Sequence, residues 1–367
     1  MPSPRSDDPP PASPQAEASC AGFDAYELAA VLSHYDLGVI EAIHPFPRGS
    51  PASPKALIRA EKGRFLLKRR REGASSLERI LFAHRVQLQL AERGFPLPRL
   101  VGTQVSNASV LERQGALYEV FVFVPGSPFD GSEAQARAAG ACLAQLHAAL
   151  SDFPTQEAPS DLLRGFHDRE DLPAQLAVAP AQVSKAWRLG LSERAELDRA
   201  AAWLATTYAE AAKEAEAAGV SQWPRQVVHG DFHGGNLLFT PRGEVAAALD
   251  YDSVRIEPRV MDLANGALQL SLTRGGDALA HWPAELDLSR LRAFLSGYDG
   301  PAPGAISQAE TAALPWLMIE ALIVEAAAPV AATGSFAKLE GGAFIRMIER
   351  KVQWLHDNAH EVIDAVG

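Results

Sequence analysis

Cysteine is almost missing from this chain: of 367 residues, only Cys20 and Cys142 carry a thiol. Two thiols make no disulfide framework, so a reducing, cytoplasmic setting is expected. No Cys-His cluster accompanies the ten histidines, which gives no support to a structural zinc site. Basic residues are outnumbered, with 34 Lys and Arg against 45 Asp and Glu and a net charge of −11. No broad basic surface is on offer to offset phosphates, so nucleic acid is not an expected partner. No apolar run approaches membrane-spanning length, and no membrane partner is expected. The first twenty residues have Pro, Ser and acids but lack the apolar core of a signal peptide, and they read as a disordered tail. Internal repeats are absent, and nothing in the composition sets an oligomeric state.

What is present is an ample apolar fraction, 47%, and one dense polar motif. A chain of this length exceeds the range of a single core and suits a two-lobed molecule with its ligand between the lobes. The motif is His229-Gly230-Asp231-Phe232-His233-Gly234-Gly235-Asn236, followed by Ala248-Leu249-Asp250-Tyr251-Asp252. Two apolar runs, Leu237 to Phe239 and Val245 to Leu249, flank the turn Thr240-Pro241-Arg242-Gly243, which predicts a β-hairpin. A hairpin brings Asn236 at its start close to Asp250 at its end, with Asp231 just upstream. Hard divalent cations such as Mg²⁺ take a few protein oxygens and complete their shell with phosphate and water. A carboxylate kept off the metal can orient a hydroxyl for attack on a phosphoryl group. A second reading of the same residues makes His229, Asp231 and His233 the ligands of a metal-dependent hydrolase.

The order HGDxHxxN, hairpin, LDxD resembles the aminoglycoside/choline/homoserine kinase-like phosphotransferases, a branch of the protein-kinase-like fold. The resemblance implies an α+β, two-lobed architecture: a small antiparallel-sheet lobe and a larger, mainly helical lobe. The expected divisions are residues 1–22 as the tail, 23–124 as the nucleotide-binding lobe and 125–367 as the catalytic and substrate lobe. Asp231 matches the family's catalytic aspartate, and Asn236 and Asp250 match its magnesium ligands. ATP is then the co-substrate, and the partner is a small-molecule hydroxyl acceptor that the sequence does not choose. A nucleotide-binding scaffold without turnover is the remaining rival; the intact Asp231, Asn236, Asp250 and Lys68 speak against it.

Upstream, Arg64 to Arg71 is a short β-like run ending in basic residues, and Lys68 stands where the family places its phosphate-binding lysine. Arg69 to Arg71 read as a solvated strand end. Strands are expected over Val39–Ile43 and Ala56–Ala60. The loop between them, Phe46 to Lys55, has a single glycine. Gly49 and Ser50 there are either phosphate contacts or part of a plain turn. The helix over Ser75–Arg93 has one interior acid, Glu78, as the candidate partner of Lys68, with His84 nearer the usual position. Ala116 to Gly126 reads as a buried strand running into Pro-Gly. By resemblance it joins the lobes, with Phe123 and Val124 at the adenine edge. Pro125 has no N–H, so Val124 is the expected donor.

The remainder reads as helices over Ser132–Leu150, Leu191–Ala218, Leu288–Tyr298, Thr311–Ala328 and Ser335–His360. His147 is read as a core histidine, His229 as a brace of the loop, and Asp262 as a structural acceptor steadying it. Asp252 and Arg255, just past the metal site, are candidates for the substrate. Glu320 and Glu325, on one helix with Trp316 and Met318, are candidates for a cationic acceptor or are solvated acids.

Overall fold

A computed structural model describes residues 19–20, 22–48, 53–70, 73, 76–156, 158–163, 165–167, 169–276, 278–300 and 305–366. They divide into two compact units. The first runs to Leu88 and includes Pro98–Val124; the second holds Gln89–Leu97 and everything from Pro125 onward.

The first unit is built on a five-stranded antiparallel sheet. Its strands are β1 (Ile40–Pro45), β2 (Lys55–Ala60), β3 (Gly63–Arg69), β4 (Leu111–Arg113) and β5 (Ala116–Val122), in spatial order β1-β2-β3-β5-β4. Alternation sends Phe65 and Leu67 of β3 to one face, where they join Ile58, Val120 and Tyr118 in an apolar core. Helix α1 (Ala25–Leu32) closes that core with Leu28, Val31 and Leu32. Asp24 caps α1 by accepting from the Glu27 N–H at 2.7 Å. Lys68 therefore faces the opposite side of the sheet, in register with Lys55 on β2 and Glu119 on β5. Helix α2 (Leu77–Glu92) follows.

The second unit is mainly helical: α3 (Glu133–Leu150), α4 (Leu172–Trp187), α5 (Leu191–Ala217), α6 (Val260–Ser271), α7 (Leu288–Asp299), α8 (Gln308–Thr333) and α9 (Gly341–Asp357). Helices α3 and α7 pack through Gly140 and Gly297, where a Cβ would collide with the carbonyls of Phe294 and Arg137. Two antiparallel pairs carry the polar motif: β6 (Arg225–Val228) with β9 (Arg255–Pro258), and β7 (Leu237–Phe239) with β8 (Val245–Ala248). The second pair is the expected hairpin.

Helix α8 departs from the sequence reading. It extends from Gln308 to Thr333, and by length and composition alone it is apolar enough to cross a membrane, with mean hydropathy 1.6. Most of that stretch is buried inside the second unit. Its two proline positions and the acids Glu310 and Glu320 interrupt the apolar run as read along the sequence. Ser307 and Glu310 form a capping box at its start, and Arg259 grips Glu310 at 2.9 Å.

Candidate active site

The loop between β6 and β7, which carries Asp231 and Asn236, is held by one buried acid. Asp262, in the first turn of α6, accepts from the backbone N–H groups of His229 (2.6 Å) and Gly230 (2.8 Å). His147 on α3 lies beside it at 3.3 Å and bonds Tyr298 on α7 at 2.7 Å. Burial alone would push the Asp262 carboxyl up, but His147, His229 and the Gly230 N–H hold it below its ordinary value. These are the structural roles expected of Asp262 and His147.

Gly230 adopts φ +76°, and a Cβ there would strike the Ser253 carbonyl, so only glycine allows this approach. His229 is buried and uses both ring nitrogens within the loop. Its Nδ1 accepts from the Asp231 N–H at 3.3 Å, which leaves Nε2 to donate to the Leu249 carbonyl at 2.9 Å. Burial depresses its pKa, so the ring is neutral. A ring with both nitrogens engaged offers nothing to a metal. Among the described residues no group of three or more His, Cys, Asp or Glu is placed to hold one. His229 is thus not available as a ligand to the hydrolase reading.

Asp231 itself is half-buried. Burial would raise its carboxyl, but His233, His229 and Asn236 hold it below its ordinary value and therefore ionised. Asn236 spends its amide nitrogen on the Asp231 carbonyl (2.9 Å) and carboxylate Oδ2 (3.1 Å). These two bonds fix the orientation of the amide and leave Oδ1 as its uncommitted acceptor. The Leu249 N–H bonds the Asn236 carbonyl at 2.8 Å, so the ends of the hairpin meet and Asp250 stands next to Asn236. Asp250 is exposed and adopts φ +62°. The donor set is two hard oxygens, Asn236 Oδ1 and the Asp250 carboxylate. That set fits Mg²⁺, which keeps water and phosphate for the rest of its shell.

Other candidates fall differently. Asp252 lies in the short helical turn Tyr251–Ser253. Arg255 donates from Nη2 to the Gly230 carbonyl at 3.0 Å, which ties β9 to the loop that carries Asp231. Glu320 is not a solvated acid: it is fully buried on α8 and bonded to His167 Nδ1 at 2.7 Å. Glu325, farther along α8, accepts from Gln269 at 2.7 Å and feels the charges of His233 and Asp231. Gly49 and Ser50 lie outside the described residues.

In the first unit, Glu78 is exposed in the first turn of α2. The buried acid near Lys68 is instead Glu119, its cross-strand partner on β5. Glu119 is 0% exposed and accepts from His84 Nε2 and from Arg70 Nη2, the latter at 2.7 Å. His84 is steadied in turn by Ser109 at 2.7 Å. Burial alone would raise the Glu119 carboxyl, but His84, Arg70 and Lys68 hold it below its ordinary value. An acid inside the apolar run Leu117-Tyr118-Glu119-Val120 is the signal that could have found it, because a buried charge needs partners. The Phe123 N–H is spent on the Arg64 carbonyl at 2.9 Å, and its ring lies under the Arg64 guanidinium at 5.2 Å.

Comparison with known proteins agrees with this geometry. The sequence pattern of the Phosphotransferase enzyme family, APH, matches residues 43–309. The chain belongs to this phosphotransferase family, and its enzyme class is kinase. A homoserine kinase from Caulobacter vibrioides is 29% identical over 307 residues, covering 79% of this chain and 82% of that protein. The crystal structure of an aminoglycoside phosphotransferase from Alicyclobacillus acidocaldarius shares the fold at TM-score 0.58 and 20% identity, covering 97% and 98% of the two chains. So does the amicoumacin kinase hAmiN in complex with AMP-PNP, Ca²⁺ and Ami, at TM-score 0.62 and 15% identity over 92% and 94%.

Proposed function

We propose that the protein transfers the γ-phosphoryl group of ATP, with Mg²⁺, to a hydroxyl of a small molecule, and that L-homoserine is the first acceptor to test. The observation that carries this reading is the Asn236 amide, whose nitrogen is locked onto Asp231 where the Leu249 N–H, one residue before Asp250, meets the Asn236 carbonyl. The choice of acceptor follows the homoserine kinases that resemble the chain over most of their length.

Asp231, held ionised, orients the acceptor hydroxyl and takes its proton late, as the phosphoryl group arrives. The loose transition state of phosphoryl transfer asks more of positioning and charge than of the base. Asn236 and Asp250 would hold the metal, which would supply positive charge against the phosphates. Lys68 steadies the α- and β-phosphate oxygens. Glu119 is the anion that positions Lys68, taking the part assigned on sequence to Glu78. With the Phe123 amide spent on Arg64, Val124 is the adenine donor.

Calorimetric titration with Mg·ATP and Mg·GTP, beside an Asp250→Asn variant, tests the assignment. Nucleotide binding that needs magnesium and weakens about tenfold or more in the variant is expected, because a charged metal ligand is lost. Unchanged affinity would sink the metal assignment, and no binding of either nucleotide to folded protein would sink the kinase reading.

A further inference from the structure

The second unit holds a cavity of about 740 Å³ that the site residues described above do not line. Its walls include His167, Arg169, Arg225, Arg255 and Glu257, whereas Asp231, Asn236 and Asp250 are not among its lining. The β6–β9 pair builds one wall. Arg255 stands opposite Val228, Glu257 opposite Gln226, and Arg225 opposite Pro258. Residues 255 and 257 alternate to the same face of the strand.

Glu257 is the unusual member. It is 3% exposed, and its Oε2 has no hydrogen-bond partner among the described residues. Gly165 lies so close that a Cβ there would strike this oxygen. Burial pushes the carboxyl up to about 7, against the pull of Arg255, Arg225 and His167. A buried polar atom with no partner is costly to keep, and an incoming hydrogen-bond donor removes that cost.

The remaining walls have the opposite character. Arg225 donates from Nη2 to the Ile256 carbonyl, Arg255 from Nη2 to the Gly230 carbonyl, and Arg169 pairs with Asp171. A guanidinium carries five N–H donors in a fixed fork, so the Arg255 bond uses only part of its capacity. His167 is burdened by burial, but Glu320 and Glu216 override it and hold the ring protonated, with a pKa of about 9. One enclosure thus sets a bare carboxylate against several cationic donors. A neutral polyol can hydrogen-bond both sides but offsets the charge of neither, and a simple anion or simple amine offsets one.

We propose that this cavity binds a small amino-acid-like zwitterion, with its ammonium on Glu257 and its carboxylate on the arginines. The Arg255 bond to Gly230 carries occupancy of the cavity to the residue preceding Asp231. Two sources share this chemistry: the phosphoryl acceptor itself, and an unreactive amino acid that modulates the enzyme. Only the choice between them rests on the kinase reading.

The test is calorimetric titration of the full chain, without nucleotide, with L-homoserine and with L-2-aminobutyrate, which lacks the hydroxyl. N-acetyl-L-homoserine, which lacks the ammonium, and glycerol serve as controls. Both zwitterions bind, the controls do not, and Glu257→Gln weakens binding about tenfold or more by removing a charged hydrogen-bond partner. Arg225→Gln weakens it as well and keeps the test open should the first variant fail to fold. In a transfer assay, L-2-aminobutyrate that competes with a phosphorylated L-homoserine marks the acceptor site. L-2-aminobutyrate that changes the rate without competing marks a regulatory one. Equal affinity in folded Glu257→Gln, equal binding of the N-acetyl compound, or no zwitterion binding to protein that binds Mg·ATP overturns the proposal. Zwitterion binding in protein that binds no nucleotide leaves the cavity standing and removes the kinase reading.

Discussion

Glu119 and Glu257 are both buried glutamates on β-strands, one in each unit, with exposures of 0% and 3%. Their carboxyls shift in opposite directions. Each leaves Oε2 without a hydrogen-bond partner, but Glu119 takes His84 and Arg70 on Oε1, feels the charge of Lys68 and is held ionised, whereas Glu257 has no cation bonded to it among the described residues and rises to about 7. Burial penalises the charged form in both, so the difference lies entirely in the partners. A buried acid bonded to cations anchors structure and positions its neighbours. One whose partners are missing is poised for something that arrives.

The largest effect that would break this contrast is in the first unit. Glu119→Ala should cost about 3–5 kcal/mol, because it strands Arg70 and His84 in a buried site without their anion. A denaturant-unfolding difference below about 1 kcal/mol would show that the network is not structural. Glu119→Gln keeps the shape and removes the charge. It should raise KM for Mg·ATP about tenfold with a smaller effect on kcat, through loss of the charged partner of Lys68. An unchanged KM would remove Glu119 from the positioning of Lys68.

The dependence of stability on pH sharpens the contrast further. The folded-state pKa of Glu119 lies below its ordinary value of 4.5, so its contribution is present above 4.5 and is lost as pH falls through the folded value. The folded-state pKa of Glu257 lies above 4.5, so its contribution is complete below 4.5 and is lost as pH rises toward about 7. Compared with wild type, Glu257→Gln should be little changed near pH 5 and more stable near pH 8, by roughly a few degrees in Tm. Melting curves at the two pH values check this; a variant less stable at pH 8 means that Glu257 already has a partner. A stabilising substitution at a binding residue is the familiar exchange of stability for function.

The candidate active site was the most legible part of the sequence because its residues are local. Asp231, Asn236 and Asp250 are joined by one loop and one hairpin, and turn residues with apolar runs announce the hairpin. The α+β fold and its small antiparallel sheet were implied by the family resemblance that this same motif carries. What the sequence hid is what crosses between elements. Glu119 meets His84 and Arg70 only after α2 packs on the sheet, and Glu320 meets His167 only after α8 is buried; neither contact has a spacing to read. Helix α4 escaped notice because Pro173 and Pro180 break up its helical pattern. Glu257 showed least of all, since a missing partner leaves no trace in sequence.

The most direct test of the central claim is transfer from radiolabelled ATP to L-homoserine by wild type and by Asp231→Asn, with ATP affinity measured on the same preparations. Wild type should form the phosphorylated product. The variant should lose about 10²- to 10⁴-fold in kcat, the range for a positioned general base, while its ATP affinity stays close to that of wild type. Near-normal turnover by Asp231→Asn would contradict the account.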